Sequence, residues 1–289
     1  MVQQSSLSKR LGRTAWRLAL LGAAGMTVAA CSAASASHLP AGSASPARAG
    51  PSAGSRPAAA RYCRQLVVPA YFYSSAVWAQ ADGTRPAPSD MILDISGVGA
   101  GDAPQAHFTA VVRQARARGV TVLGYISTVD GQRPLGQVEA EVRNYSRWYG
   151  VTSIFLDRVS GVPPQVAYYR SLVRYIHRSS PGSSVWLNPG DVPDRDYMSI
   201  GDVVMVFEGT YSQYLGLRLP GWVRGYPASK FAHTIYAAPG RDLVSALRLA
   251  TSRRAGHVYV TDRSGDNPYD GLPSYWSREA SAASAGCAR

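Results

Sequence analysis

The stretch Val120-Thr121-Val122-Leu123-Gly124-Tyr125-Ile126-Ser127-Thr128 decides the fold. A strand with one face in water alternates apolar and polar residues. This run is apolar almost throughout until its polar end, so it must be covered on both faces, as a strand of a parallel sheet flanked by helices is. Immediately upstream, Phe108 to Arg118 has helical patterning and stops at Gly119, a residue type that commonly ends helices. Helix, glycine and doubly buried strand together form one unit of an alternating α/β chain.

The same unit recurs outward in both directions. Short β-rich runs stand at Leu66–Tyr71, Met91–Ile95, Val120–Ser127, Thr152–Asp157, Ser184–Asn188, Val203–Glu208, Phe231–Tyr236 and His257–Asp262. Helical patterning fills several of the gaps, at Val138 to Tyr149 before Gly150, Val166 to His177, and Leu243 to Arg254 before Gly256. About eight strands alternating with helices in residues 61–289 predict a single (β/α)₈ TIM barrel. A doubly wound open sheet is the alternative, and the lack of a Gly-rich phosphate fingerprint after an early strand counts against it.

The first sixty residues read differently. Lys9, Arg10, Arg13 and Arg17 precede an apolar run, Leu18 to Ala30, too short for a permanent membrane span. It ends in Val28-Ala29-Ala30-Cys31, which resembles a bacterial lipobox. Residues 1–30 are therefore expected to be a lipoprotein signal peptide. Cys31 is then the acylated first residue of the mature chain, anchoring it to the membrane on the outer side. Residues 32–60 are almost entirely Ala, Ser, Gly and Pro and should form a disordered tether reaching on the order of 30 Å. An uncleaved anchor, or an ordinary signal peptide with a chance cysteine, is the alternative.

Charge follows the same division. Of the formal net charge of +12, half lies in residues 1–60, which contain one Lys, five Arg and no acid. The barrel region is only mildly basic and has no basic run interleaved with aromatics, so nucleic acid is not an expected partner. Cys63 and Cys287, near the two ends of the barrel segment, are disulfide candidates in an oxidising compartment, two free thiols being the other possibility. The histidines show no metal-ligand spacing, and neither a P-loop nor a Gly-x-Ser-x-Gly elbow is present, so no metal or cofactor is expected.

In a barrel, chemistry collects where strands end. The strand ends here are Tyr71, Asp94, Tyr125, Asp157, Asn188, Glu208 and Asp262. One acid could cap a helix or pair with a cation, whereas four on one rim suggest a site. Paired carboxylates are what glycoside hydrolysis needs, and Tyr71, Tyr73, Trp78, Tyr125 and Tyr211 suit packing on sugar faces.

These strand ends resemble the spherulin-4 family, also called spherulation-specific family 4. The resemblance rests on Val68-Pro69-Ala70-Tyr71-Phe72-Tyr73, Val122 to Thr128, Ile154-Phe155-Leu156-Asp157, Leu187-Asn188-Pro189-Gly190, Val206-Phe207-Glu208, Tyr259 to Asp262, and Pro268 to Trp276. It implies a TIM-barrel glycoside hydrolase cutting α-1,4-linked N-acetylgalactosamine polymers. In that case Asp157 and Glu208 form the acidic pair, with Asp157 as nucleophile or oxyanion-facing carboxylate and Glu208 as general acid/base, in either a retaining or an inverting mechanism. Tyr71, Asp94, Tyr125, Asn188 and Asp262 would then bind substrate. The family commonly has a second acid directly after the strand-four Asp, and here that position is Arg158. The departure sustains a second expectation, a non-catalytic carbohydrate-binding or matrix-interaction lipoprotein. Either protein is expected to act as a monomer on polysaccharide.

Overall fold

The computed structural model describes residues 64–285; the proposed signal peptide, Cys31, the tether and both disulfide candidates lie outside them. The elements run β1 (Gln65–Ala70), α1 (Ser75–Gly83), β2 (Asp90–Leu93), α2 (Ala106–Ala117), β3 (Thr121–Ser127), α3 (Leu135–Tyr149), β4 (Ser153–Asp157), α4 (Val166–Ser179), β5 (Val185–Leu187), β6 (Val203–Thr210), α5 (Tyr211–Gly216), β7 (Phe231–Tyr236), α6 (Leu243–Ser252), β8 (His257–Val260) and α7 (Trp276–Ala283). All eight strands pair in parallel and in sequence order, and β8 closes on β1. The described residues form a (β/α)₈ barrel. Between β5 and β6 the α-helix is replaced by a 3₁₀ turn, Arg195–Ser199. That connection is short and contains Pro189 and Pro193, neither of which can donate a helical hydrogen bond.

The doubly buried strands supply two cores. Val67, Ile92, Leu123, Tyr125, Phe155, Trp186, Val203, Met205 and Ala232 fill the barrel interior. Residues of opposite parity, such as Val68, Met91, Val122, Ile154 and Val204, face the helices. The helices answer with stripes at helical spacing: Tyr169, Leu172, Val173 and Ile176 on α4, and Val138, Val142, Tyr145 and Tyr149 on α3. Each such aliphatic side chain contributes about 1.5–3 kcal/mol by leaving water. Truncating Leu172 to Ala would therefore strip about 2–5 kcal/mol from the α4 contact.

Two of the three glycines expected to end helices do so, with Gly119 and Gly150 in the left-handed region at φ 81° and 65°. Gly256 serves another purpose. Helix α6 ends at Ser252, and Arg254 takes the left-handed turn at φ 62°. The backbone of Gly256 instead lies so close to the Ala228 carbonyl that a Cβ would collide with it. Trp78, expected among the rim aromatics, is fully buried in α1 and donates its indole N–H to the Phe72 carbonyl at 3.0 Å. Its apolar bulk is spent on the helix–barrel contact.

Candidate active site

The site is built at the C-terminal ends of β3, β4, β5 and β6, closed over by the loop after β8. Strand β4 is regular, so Phe155 and Asp157 share the inward face, with Asp157 at the end of the strand. Strand β6 is not regular. Met205 pairs with Ala232, but the next pair is Phe207 with His233, leaving Val206 as an extra residue. Regular alternation from inward-facing Met205 would send Glu208 outward. The bulge at Val206 reverses the parity and sets Glu208 opposite Thr234, whose side chain lies inside the mouth.

Asn188, buried at the end of β5, holds the two acids together. Its Nδ2 donates one hydrogen to Asp157 Oδ1 and the other to Glu208 Oε2, each at 2.7 Å. Two legs of 2.7 Å from one nitrogen keep those oxygens no more than twice that, 5.4 Å, apart. The amide cannot be reversed without loss, because its Oδ1 accepts from the Gly190 N–H at 2.9 Å. A phenol completes each carboxylate: Tyr125 donates to Asp157 Oδ2 at 2.8 Å and Tyr269 to Glu208 Oε1 at 2.9 Å. Tyr71 is wedged edge-on between these two rings, with centroid distances of 5.6 and 5.5 Å. A cavity of about 400 Å³ lies beside Glu208 on the Val206–Phe207 side of β6, lined also by Gly190, Val192 and Leu217 but not by Tyr125, Asp157 or Asn188.

Burial, and then the charge of Glu208, push the Asp157 carboxyl up from its ordinary 3.8 to about 6; the bonds from Tyr125, the Arg158 backbone and Asn188 oppose this. Two carboxylates this close do not both ionise cheaply, so the pair keeps a proton well above the usual carboxylate range. The phenols of Tyr71, Tyr125 and Tyr269 are all pushed up, chiefly by burial and then by the neighbouring acids. They remain protonated donors.

The positions of Tyr125 and Asp157 are themselves enforced. A Cβ on Gly124 would fall 2.7 Å from the Tyr145 ring, so glycine is what lets that ring lie flat across β3. The single Tyr145 hydroxyl proton is then shared between the carbonyls of Leu93 and Tyr125, at 3.1 and 2.9 Å, tying the ends of β2 and β3. Thr128, fully buried, puts its hydroxyl on the carbonyls of Asp157 and Arg158 and against Tyr169.

The strand-end residues separate into groups. Tyr71, Tyr125, Asp157, Asn188 and Glu208 converge. Asp94 belongs to the same mouth: its Oδ1 accepts from the Gly97 N–H at 2.7 Å, and its charge bears on Tyr71 and Tyr125. Burial raises its own carboxyl. The Asp262 carboxylate is engaged by the N–H and hydroxyl of Ser274, which ties the end of β8 to the turn before α7. Arg158 takes a left-handed backbone at φ 49°, and its half-exposed side chain turns to Asp130 on the next loop, at 3.1 Å. Tyr269 was not among the residues expected to form the site, because it lies on a loop where no strand end marks it. Its one signal in the sequence is the Pro268–Trp276 segment that shares in the family resemblance.

Comparison with known proteins shows the family and the fold. The sequence model of spherulation-specific family 4 matches residues 65–283. Spherulin-4 of Physarum polycephalum is 32% identical over 232 residues, covering 75% of this chain and 69% of its own length. The chain belongs to spherulation-specific family 4. The crystal structure of Aspergillus clavatus Sph3 in complex with GalNAc shares the barrel at a TM-score of 0.65 and 22% identity, covering 77% of this chain and 98% of that one. The matched family segment spans all eight strands and Tyr269, so every side chain of the hydrogen-bonded acidic cluster belongs to the family domain.

Proposed function

We propose that this member of spherulation-specific family 4 is an exported, membrane-anchored glycoside hydrolase that cleaves N-acetylgalactosamine-containing polysaccharide from within, by double displacement. The observation that carries the proposal is the pair Asp157 and Glu208, two carboxyls on one amide with facing oxygens no more than 5.4 Å apart. Retaining glycosidases hold their carboxyls closer (about 5–5.5 Å) than inverting ones (about 6.5–9.5 Å), which leave room for a water, and one amide bridging both acids favours the closer arrangement. The sugar assignment draws on the family resemblance and on the GalNAc bound to Sph3.

In this mechanism ionised Asp157 attacks the anomeric carbon, and the glycosidic C–O bond breaks as Glu208 transfers its proton to the leaving oxygen. Glu208 then takes a proton from water, whose oxygen displaces Asp157 from the glycosyl ester. Asn188 fixes the spacing of the two carboxyls. Tyr125 and Tyr269 supply hydrogen bonds that follow the charge as it moves between them, while Tyr71 and Asp94 line the sugar-binding mouth. Asp262 acts through Ser274, by holding the loop that carries Tyr269.

Reducing-end release from a panel of galactosaminogalactans tests the proposal, with anomeric proton NMR of the first product expected to show retention. Asp157→Asn and Glu208→Gln should each lose about 10²–10⁴-fold in kcat. With azide, Asp157→Gly should yield a glycosyl azide of inverted configuration and Glu208→Ala one of retained configuration. No release by the wild-type protein, or undiminished release by both carboxamide variants, overturns the assignment. Palmitate labelling that disappears in Cys31→Ala checks the anchor.

A second proposal, a binding protein without turnover, is favoured by Arg158 alone. It predicts saturable glycan binding with no reducing ends. Against it, the Arg158 guanidinium is paired with Asp130, and Asn188 bridges the two acids directly.

A further inference from the structure

The largest exposed aromatic among the described residues is Tyr73, which is 64% exposed. It stands in the β1–α1 connection, two residues after Tyr71, and so at the end of the barrel where the acids sit. His107, the second residue of α2, reaches the same end from the β2–α2 connection. The two rings are stacked, with centroids 4.3 Å apart and planes 20° from parallel. Phe108 packs edge-on against both, at 5.5 and 5.0 Å, and Ser75 Oγ is hydrogen-bonded to His107 Nδ1 at 3.1 Å.

This is a braced ring rather than a loose one. The imidazole covers one face of Tyr73, Phe108 supports its edge, and the exposure leaves the other face to solvent. Neither the mouth around Asp157 and Glu208 nor the helix–barrel core uses it. A flat aromatic face held this way is matched by the axial C–H face of a pyranose, and the bracing reduces the side-chain entropy lost on binding. The rings packed against Tyr73 are those of His107 and Phe108, not Tyr125 or Tyr269, the phenols that hold the two acids. A sugar on Tyr73 would lie outside the acid pair's own contacts.

We propose that Tyr73, backed by His107, is an outer subsite that stacks a pyranose residue of the polymer away from the scissile bond, so that long chains bind better than short ones. The proposal rests on the hydrolase assignment and names a further contact of the same substrate.

The test compares wild type, Tyr73→Ala, Tyr73→Trp and His107→Ala on oligosaccharides of increasing length and on the polymer. Tyr73→Ala should raise KM about three- to tenfold on the polymer, with the penalty shrinking as the chain shortens. His107→Ala should lose part of the same discrimination, and Tyr73→Trp should restore it. A penalty independent of chain length, or none, overturns the subsite while hydrolysis stands.

Affinity electrophoresis through polymer-containing gels provides a readout without turnover, in an Asp157→Asn background. There Tyr73→Ala should be retarded less than its parent, and equal retardation overturns the subsite. If wild type releases no reducing ends, the hydrolase assignment falls and the gel result alone decides the subsite. Thermal unfolding of the Tyr73 variants should stay near that of their parent, because the Tyr73 ring is exposed.

Discussion

Strands β4 and β6 each deliver one carboxylate to the mouth, by different routes. In β4 the parity of the strand suffices: Ser153, Phe155 and Asp157 share a face, and the acid continues the line of the interior core. In β6 an extra residue, Val206, turns Glu208 from the helix-facing side to the mouth. Regular alternation is fixed by the backbone pleat, so Asp157 is placed by local geometry alone. A bulge depends on what the neighbouring strand and helix accept, so Glu208 is placed by its surroundings. Burial raises the carboxyl of the locally determined acid, Asp157.

Deleting one residue from each strand would break the comparison most sharply. Removing Leu156 shifts Asp157 to the helix-facing parity, and kcat should fall about 10²–10⁴-fold, as for loss of the acid itself. Removing Val206 restores a regular strand with Glu208 still opposite Thr234, and activity should survive. Both deletions remove a buried aliphatic side chain and should cost about 2–5 kcal/mol of stability. Activity is therefore measured per folded molecule, by circular dichroism and reducing-end assay together. Equal loss from the two deletions would mean that pairing opposite Thr234 is not enough to hold Glu208 in the mouth without the bulged backbone.

Asn188→Asp attacks the feature the two strands share. It replaces a donor to both acids with a third negative charge. The acidic limb of the pH–rate profile, expected near pH 6 in wild type because Asp157 must ionise to attack, should move upward. An unmoved limb would separate Asn188 from the pair's electrostatics.

The phenol partners give a smaller, matched test. Tyr125→Phe removes a donor from Asp157 and Tyr269→Phe one from Glu208. Each should cost about 1.5–3 kcal/mol in the charged state it serves. Only the Tyr125 variant should raise the acidic limb, since that bond lowers the Asp157 carboxyl.

The last effect is on folding, not on turnover. Because the folded chain holds the Asp157 proton up to about pH 6 and the unfolded chain releases it near 3.8, stability falls as pH rises through that window. Asp157→Asn should remove that slope, worth about 3 kcal/mol. Urea midpoints at pH 4 and pH 7 would check it.

Much of this architecture is readable along the chain. Runs such as Val122–Ile126 and Val203–Phe207 cannot sit with one face in water, and their alternation with helical segments specifies a parallel barrel. Once the barrel is given, its strand ends mark Asp157, Asn188 and Glu208 as neighbours. Tyr269 is not marked, because its loop reaches Glu208 only through the fold. Asp262 illustrates the reverse, a strand-end acid whose oxygens are engaged by Ser274 twelve residues on. Gly256 does the same for the backbone: a glycine after a helix suggests a cap, and here close approach to Ala228 explains it.

By itself the sequence determined the alternation of covered strands and helices, and with it which residues could reach one end of a barrel. These follow from periodicity and from the cost of wetting apolar faces, both of which act locally. Only the tertiary structure decided that Val206 is extra, that one amide serves two carboxyls, that Arg158 turns to Asp130, and that Tyr73 keeps one face open. Each of those depends on a partner distant in the chain, and no local preference encodes such a partner.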